Sequence, residues 1–283
     1  MILDYFVILM TSLAFYTILV LALNLAVGFT GLINLGHMVF FGIGAYTSAI
    51  LTTHGIPWYF AFILAGLLAS VLGTLIAAIT VRLKGEYFAM VTLGLVFIAT
   101  AISRNWISLT RGALGIPGVP DIIRDNFYYM IFSWAVAGLC ILFLYKLTNS
   151  ETGKVLQAIR DDETAAAILG KNTYFYKVLS IAISTFFAGI AGSLFAHHIN
   201  FVDPSVFDLE FFIFVISMLI AGGLASLKGS IVGVFGLSIV SEAMRYIVVS
   251  PSLIGAVRDI VYVVILIIIL IYKPKGIFGK VDV

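Results

Sequence analysis

Long runs of apolar residues without a single charge dominate this chain. They cover Tyr5–Val27, Met38–Leu51, Pro57–Val81, Tyr87–Ile102, Phe127–Tyr145, Val178–Ile199, Phe211–Leu227, Ile231–Ser241 and Ile260–Tyr272. A backbone placed in hydrocarbon must satisfy its own hydrogen bonds, so such runs are confined to helices. The longest match the ~20 residues needed to cross a bilayer. The second, fourth and eighth are short for a full span, which leaves two readings. Either they extend beyond these limits, or they are broken helices of the kind that line a permeation path.

The expected fold is therefore an all-α, polytopic membrane bundle with about 8–10 transmembrane or partly spanning helices. Composition agrees: 62% of the 283 residues are hydrophobic and 11% charged, against about 25% charged in soluble domains. The whole chain, residues 1–283, reads as a single transmembrane domain. The first run is longer than a signal-peptide core and lacks a basic region before it, so it reads as a retained helix. A net charge of +2 with scattered basic residues excludes a nucleic-acid partner. The lone Cys140 cannot form an intrachain disulfide and reads as a packing residue.

Two segments between the runs are long. Ser103–Asn126 holds Gly112, Gly115, Pro117, Gly118 and Pro120 and reads as a turn-rich surface loop. Lys146–Lys177 is the most polar stretch. If it is cytoplasmic, eleven Lys and Arg fall inside and five fall outside or near the outer boundary: Arg104, Arg111, Arg124, Arg245 and Arg258. The positive-inside bias then sets the N-terminus outside and the C-terminus in the cytoplasm, for an odd number of spans.

Within the polar segment, Val155, Leu156 and Ile159 make one short apolar face. Asp161 or Asp162 is placed to cap a second helix carrying Ala165, Ala166, Ile168 and Leu169, with Gly170 as its stop. Two short amphipathic helices at the membrane surface fit lipid, their own bundle, or a groove on another protein.

Polar residues inside apolar runs are costly and mark candidate path positions. These are Asn24, Asn34, His37, Thr92, His197, His198, Asn200, Glu242 and Arg245. Asn24 and Asn34 fit simple cross-helix bonding equally well, and His37 fits the capping of freed carbonyls. His197, His198 and Asn200 read as interfacial. Adjacent histidines point about 100° apart on a helix, which argues against a joint metal site. Glu242 and Arg245 read as a mutual ion pair. The glycines form two clusters, Gly28 to Gly44 and Gly222 to Gly236, each a Gly-rich turn followed by a short apolar helix. No catalytic constellation is present, so no enzyme is expected. A phosphate loop is missing too: Gly153-Lys154 and Gly170-Lys171 lack its other residues.

Several motifs follow one another along the chain: Gly31-Leu-Ile-Asn-Leu-Gly36-His37, Phe41 to Tyr46, Arg82 to Gly94, and Thr110 to Gly118. Ala158-Ile159-Arg160-Asp161-Asp162-Glu163 with Ala165-Ala166 follows, then Ile220 to Gly229 and Lys273 to Gly279. Together they resemble one family, the permeases of ABC importers for branched-chain amino acids. The segments Arg82–Gly94 and Thr110–Gly118 look like the second, M-type permease. Two departures stand out: Arg111-Gly112 where the family often has two glycines, and Ala225 in place of a glycine.

The resemblance implies several roles. ATPase coupling would fall to Glu151, Gly153, Ala158, Ile159, Arg160, Asp161, Asp162, Glu163, Ala165, Ala166 and Gly170. The translocation path would draw on Asn24, Gly31, Asn34, Gly36, His37, Tyr46, Thr92, Gly222 and Gly223. Arg104, Arg111, Arg124 and Arg258 would dock an extracytoplasmic substrate-binding protein. The implied partners are two ABC ATPase subunits, which use ATP and Mg, and a second homologous permease. Membrane lipid would surround them, in a bacterial or archaeal cytoplasmic membrane, and this chain itself would need no cofactor or metal. Two alternatives stay open: the same type of importer for urea or short-chain amides, and a stand-alone secondary carrier or channel.

Overall fold

The computed structural model describes residues 2–83, 85–244, 254–273 and 275–279, without the side chains of 2, 254–259 and 270. Arg245 and the Arg258 side chain thus lie outside the described residues. Helix α1 (Ile2–Asn24) continues into a π turn at Leu25–Phe29. Then come α2 (His37–Thr53), α3 (Trp58–Thr80), α4 (Glu86–Asn105) and the single turn α5 (Ile107–Thr110). After α6 (Asn126–Asn149) follow α7 (Glu151–Asp161), α8 (Glu163–Ile168), α9 (Thr173–Ile199), α10 (Leu209–Gly222), α11 (Leu227–Met244) and α12 (Ile254–Tyr272).

Six of these helices are long and apolar enough to cross a membrane. With α2, α10 and α12 they make nine helices at membrane depth among the described residues, within the expected range. Large apolar side chains such as Ile63, Leu75, Ile79, Phe97, Ile98 and Leu139 are exposed on α3, α4 and α6. That outer surface needs an apolar surrounding, as in a multi-pass membrane protein. Helices α1, α2 and α9 form the core, where Phe15, Ile18, Phe41 and Leu194 are fully enclosed.

The three short runs resolve differently. The fourth and eighth extend, to Glu86–Asn105 and Leu227–Met244. The second is a partial helix: α2 begins where His37 Nε2 donates to the Leu19 carbonyl, 3.3 Å away. Leu19 lies ten residues before the end of the π turn, about 15 Å at 1.5 Å per residue. The irregular segment Thr30–Gly36 therefore climbs to mid-depth. Its amides find internal partners, Leu35 N donating to Thr92 Oγ1 at 3.1 Å and Gly36 N to Asn34 Oδ1 at 3.1 Å. The seventh run, Phe211–Leu227, does not continue as one helix. It breaks at Gly222–Gly223, where Gly223 takes φ +111 and Ala225 φ +56.

One end of the bundle carries α7, α8, the α3–α4 turn and the tail. There Tyr174 Oη donates to the Ala78 carbonyl at 3.0 Å, and the Arg82 guanidinium lies over the Tyr174 ring. Tail amides of Ile277 and Phe278 donate to the carbonyls of Ala221 and Gly222. At the opposite end, two short strands that the sequence pattern did not indicate pair antiparallel: β1 (Ile116–Pro117) and β2 (Phe201–Val202). They tie the turn-rich loop to the α9–α10 connection. The start of α1 lies at this second end, so the two termini of the described chain lie at opposite ends.

Candidate functional site

The polar segment between α6 and α9 folds as its capping residues dictate. Ser150 caps α7, accepting from Gly153 N. Of the two candidate aspartates, Asp162 caps α8, accepting from Ala165 N at 2.9 Å. Gly170 stops the helix at φ +79. Val155, Ile159 and Ala166 pack together with Tyr176 of α9, and Leu156 joins the main core. Lys177 Nζ pairs with Glu163 Oε2 at 2.5 Å and holds α8 against α9. Glu151, Ala158, Asp161 and Ala165 face outward. Ile168 and Leu169 are exposed by 81% and 78% at the end of α8.

Arg160 joins this element to the core. Its Nη1 donates to the Gly28 carbonyl in the π turn of α1, at 2.9 Å, and its Nε and Nη2 bind Asp161. Its stem lies over Gly31, where a Cβ would come within 2.9 Å of Arg160 Cγ. A π turn frees carbonyls from the ordinary ladder, and one of them receives the guanidinium.

The same π turn meets the break after α10. Asn24 Nδ2 donates to the Ser226 carbonyl at 3.1 Å and to Ser230 Oγ at 2.7 Å, and its Oδ1 accepts from Ala225 N at 3.0 Å. Gly28 sits flush between Asn24 and the Ala225 amide. Gly222 packs on Gly229, and Gly223 packs on the tail at Lys275 and Gly279. The two glycine-rich segments of the sequence therefore meet at Gly28 and Ala225, in a joint that runs from α7 through α1 to the tail, while Gly36, Gly42 and Gly44 pack elsewhere, on Thr92, Phe207 and Gly189.

The path candidates do not converge on one cavity. Asn24, Gly222 and Gly223 belong to that joint. Asn34 and Thr92 line a gap of about 10 Å³, no larger than one water, with Gly36 backed on Thr92. Tyr46 stacks on Phe207 near the opposite end, ring centroids 5.8 Å apart. His197 is not interfacial, as its sequence position had suggested, but buried. Its Nδ1 donates to the Pro120 carbonyl at 2.7 Å and its Nε2 takes the Ser48 hydroxyl at 2.8 Å. The turn-rich loop folds over it and removes it from the boundary. His198 diverges, toward Ser12 and the Tyr129 ring. Glu242 accepts from the Tyr5 hydroxyl, and its expected partner Arg245 lies outside the described residues.

Arg104, Arg111 and Arg124 are all exposed at the second end, and Arg104 Nη2 lies 3.7 Å from Asp208 Oδ1. Both departures from the family pattern sit on left-handed backbone: Arg111 at φ 60 and Ala225 at φ 56.

The family model of the branched-chain amino acid transport system permease component matches residues 5–271. The chain belongs to this permease family. It is 31% identical over 292 aligned residues to the high-affinity branched-chain amino acid transport permease LivM of Escherichia coli, covering 92% of this chain and 67% of that protein. The probable branched-chain amino acid permease LivM of Methanocaldococcus jannaschii is 26% identical, covering 94% of this chain and 90% of its own length. The paralogous permease LivH of E. coli is 26% identical, covering 95% of this chain and 92% of its own length. Both permease types thus share this chain's extent, and identity is higher to the M-type protein of E. coli.

Proposed function

We propose that this chain is the M-type permease subunit of an ATP-driven, binding-protein-dependent importer for branched-chain or related hydrophobic amino acids. The observation that carries the reading is the M-type likeness over nearly the whole chain. A second support is the pair α7–α8, capped, braced by Lys177–Glu163 and joined to the end of α1 by Arg160. That is a lever with one face anchored and one apolar tip free.

In this reading two ABC ATPases, using ATP and Mg, seat α7–α8 in the cytoplasm. Their closure moves the π turn of α1 and, through Asn24, the α10–α11 break, a rigid-body gating motion. A second permease, of the LivH type, completes the path. An extracytoplasmic binding protein docks on the end carrying Arg104, Arg111 and Arg124. The orientation is N-terminus outside and C-terminus inside, with Arg82, Lys146, Lys154, Arg160, Lys171, Lys177, Lys228, Lys273 and Lys275 at the cytoplasmic end.

The test is purification of the tagged chain from its native membrane, mass spectrometry of what accompanies it, and uptake by the reconstituted assembly with its binding protein. Co-purified ATPases and a second permease, with leucine uptake driven by ATP, support the reading. A chain that comes alone and stable, or an assembly that moves urea and no amino acid, overturns it.

A further inference from the structure

The outward face of α3 carries a regular line of apolar side chains. Leu64, Leu68, Val71, Leu75 and Ile79 are exposed by 43–78%. At about 100° per residue they fall within an arc of about 80°, so they form one ridge along the helix. Arg82, just past the end of α3, continues that ridge, since its position returns to within about 20° of the direction of Val71. The rise from Val71 to Arg82 is about 16 Å, half of the ~30 Å hydrocarbon core of a bilayer. The Arg82 guanidinium lies over the ring of Tyr174, 5.3 Å from its centroid. That ring is itself fixed, because Tyr174 Oη donates to the Ala78 carbonyl at 3.0 Å. A guanidinium resting on a ring face keeps its N–H edge open to acceptors. Among the described residues no carboxylate pairs with Arg82, whereas Arg160 and Lys177 at the same end pair with Asp161 and Glu163. That end is cationic: nine described Lys and Arg stand against the carboxylates of Glu86, Glu151, Asp161, Asp162 and Glu163.

We propose that Arg82 and Tyr174 form a headgroup site for an anionic phospholipid, whose acyl chain lies along Ile79, Leu75 and Val71. The N–H edge of the guanidinium donates to two oxygens of the phosphodiester, a planar pairing that lysine cannot make. Tyr174 holds the guanidinium at the boundary where the phosphate lies, so little side-chain freedom is lost on binding. The ridge beneath gives one acyl chain a continuous apolar track through its own leaflet. The surplus of cations at this end selects the headgroup charge. A zwitterionic lipid offers the same phosphate but brings its ammonium against the same field. The inference concerns the lipid-facing surface and holds whether or not the importer reading does.

The test uses the full chain, with whatever partners it keeps on purification, delipidated in detergent. It is titrated under native mass spectrometry with phosphatidylglycerol or with phosphatidylcholine of the same acyl chains. The parent is expected to bind phosphatidylglycerol about tenfold more tightly than phosphatidylcholine. Arg82→Gln is expected to lower the phosphatidylglycerol affinity about tenfold and to erase the preference. Tyr174→Leu, which leaves the guanidinium without its support, is expected to cost about threefold. Lys154→Gln removes the same charge from the exposed side of α7 at the same end and is expected to change the affinity less than about twofold. Should Arg82→Gln fail to fold, Arg82→Lys carries the test, with an expected loss of about threefold because the charge stays and the planar fork goes. A parent that holds both lipids equally overturns the proposal. So does an Arg82 variant that binds like the parent. Equal losses in Arg82→Gln and Lys154→Gln overturn it as well, since they mark a diffuse field in place of a site. A parent that takes up neither lipid, because a partner protein covers α3, overturns it too.

Discussion

The guanidinium of Arg160 donates through Nη1 to the carbonyl of Gly28, 2.9 Å away and 132 positions earlier in the chain. This bond joins the surface pair α7–α8 to the π turn that ends α1. A charged hydrogen bond of this kind contributes about 1.5–3 kcal/mol. Removing it leaves the fold standing, because α7 is still held by Leu156 and Ile159. Arg160→Ala and Arg160→Glu are therefore expected to lower transport per ATP hydrolysed about tenfold or more, in proportion to that energy. Asp162→Lys, which removes the α8 cap and costs about 1 kcal/mol of helix stability, is expected to act in the same direction more weakly. Simultaneous measurement of uptake and ATPase rate in proteoliposomes checks both. Unchanged transport per ATP in all three variants would sink the lever.

Gly28 and Ala225 form the next contact in the joint, and they respond oppositely to substitution. A methyl on Gly28 has no room between Asn24 Oδ1 and the Ala225 amide. Gly28→Ala is expected to destabilise by about 1–3 kcal/mol or more, as overpacking does. Ala225 already carries its methyl at φ 56, a backbone that favours glycine by about 1 kcal/mol. Ala225→Gly restores the family's residue, relieves that strain and gives up one buried methyl. The expected net change is under about 1 kcal/mol. Thermal melting of the purified chain by fluorescence-detected size exclusion separates the two.

The helical bundle, its apolar limits and the capped pair α7–α8 were readable because each has a local cause: hydropathy over a span, an aspartate before a short helix, a glycine after it. Asn24 was readable as polar and buried, and its cross-helix bonding was one of the two expectations. What could not be read is partnership across distance. Nothing local links Arg160 to Gly28, Ser48 to His197, or Asn24 to Ser226. The interfacial reading of His197 failed for the same reason, since the loop that covers it lies 77 positions away. The break in the run Phe211–Leu227 had a signal, the pair Gly222–Gly223, but glycine is common in membrane helices and the pair alone does not end one.

The exposed arginines at the second end lead to a salt-dependent prediction. Arg111 and Arg124 extend from the turn-rich loop into water. Contacts between such rim charges and an acidic partner govern mainly the association rate. Arg111→Glu with Arg124→Glu is expected to slow association of the binding protein about tenfold at low salt. At 1 M salt, where the Debye length is about 3 Å, the difference should shrink toward none. Surface plasmon resonance on the nanodisc-held transporter reads both rates. A double variant whose association rate matches the parent at low salt would remove these residues from the docking surface.

Ile168 and Leu169 are the most direct handle on the proposed ATPase partner. They stand 81% and 78% exposed at the tip of α8, on the end that carries most of the described cations. The described tail residues pack on Gly222 and Gly223. The exposure of Ile168 and Leu169 means that replacement leaves the chain's own packing almost untouched. Burying two such side chains in a partner's groove stabilises the complex by about 1.5–3 kcal/mol each. Ile168→Ser with Leu169→Ser is therefore expected to weaken ATPase binding about a hundredfold or more, with melting temperature and membrane insertion unchanged. The amount of ATPase retained by the tagged chain after dilution and washing measures it. Full retention in the double variant would show that the tip makes no contact, and the seat of the ATPase would have to be sought along Glu151, Ala158 and Asp161 on the outward face of α7.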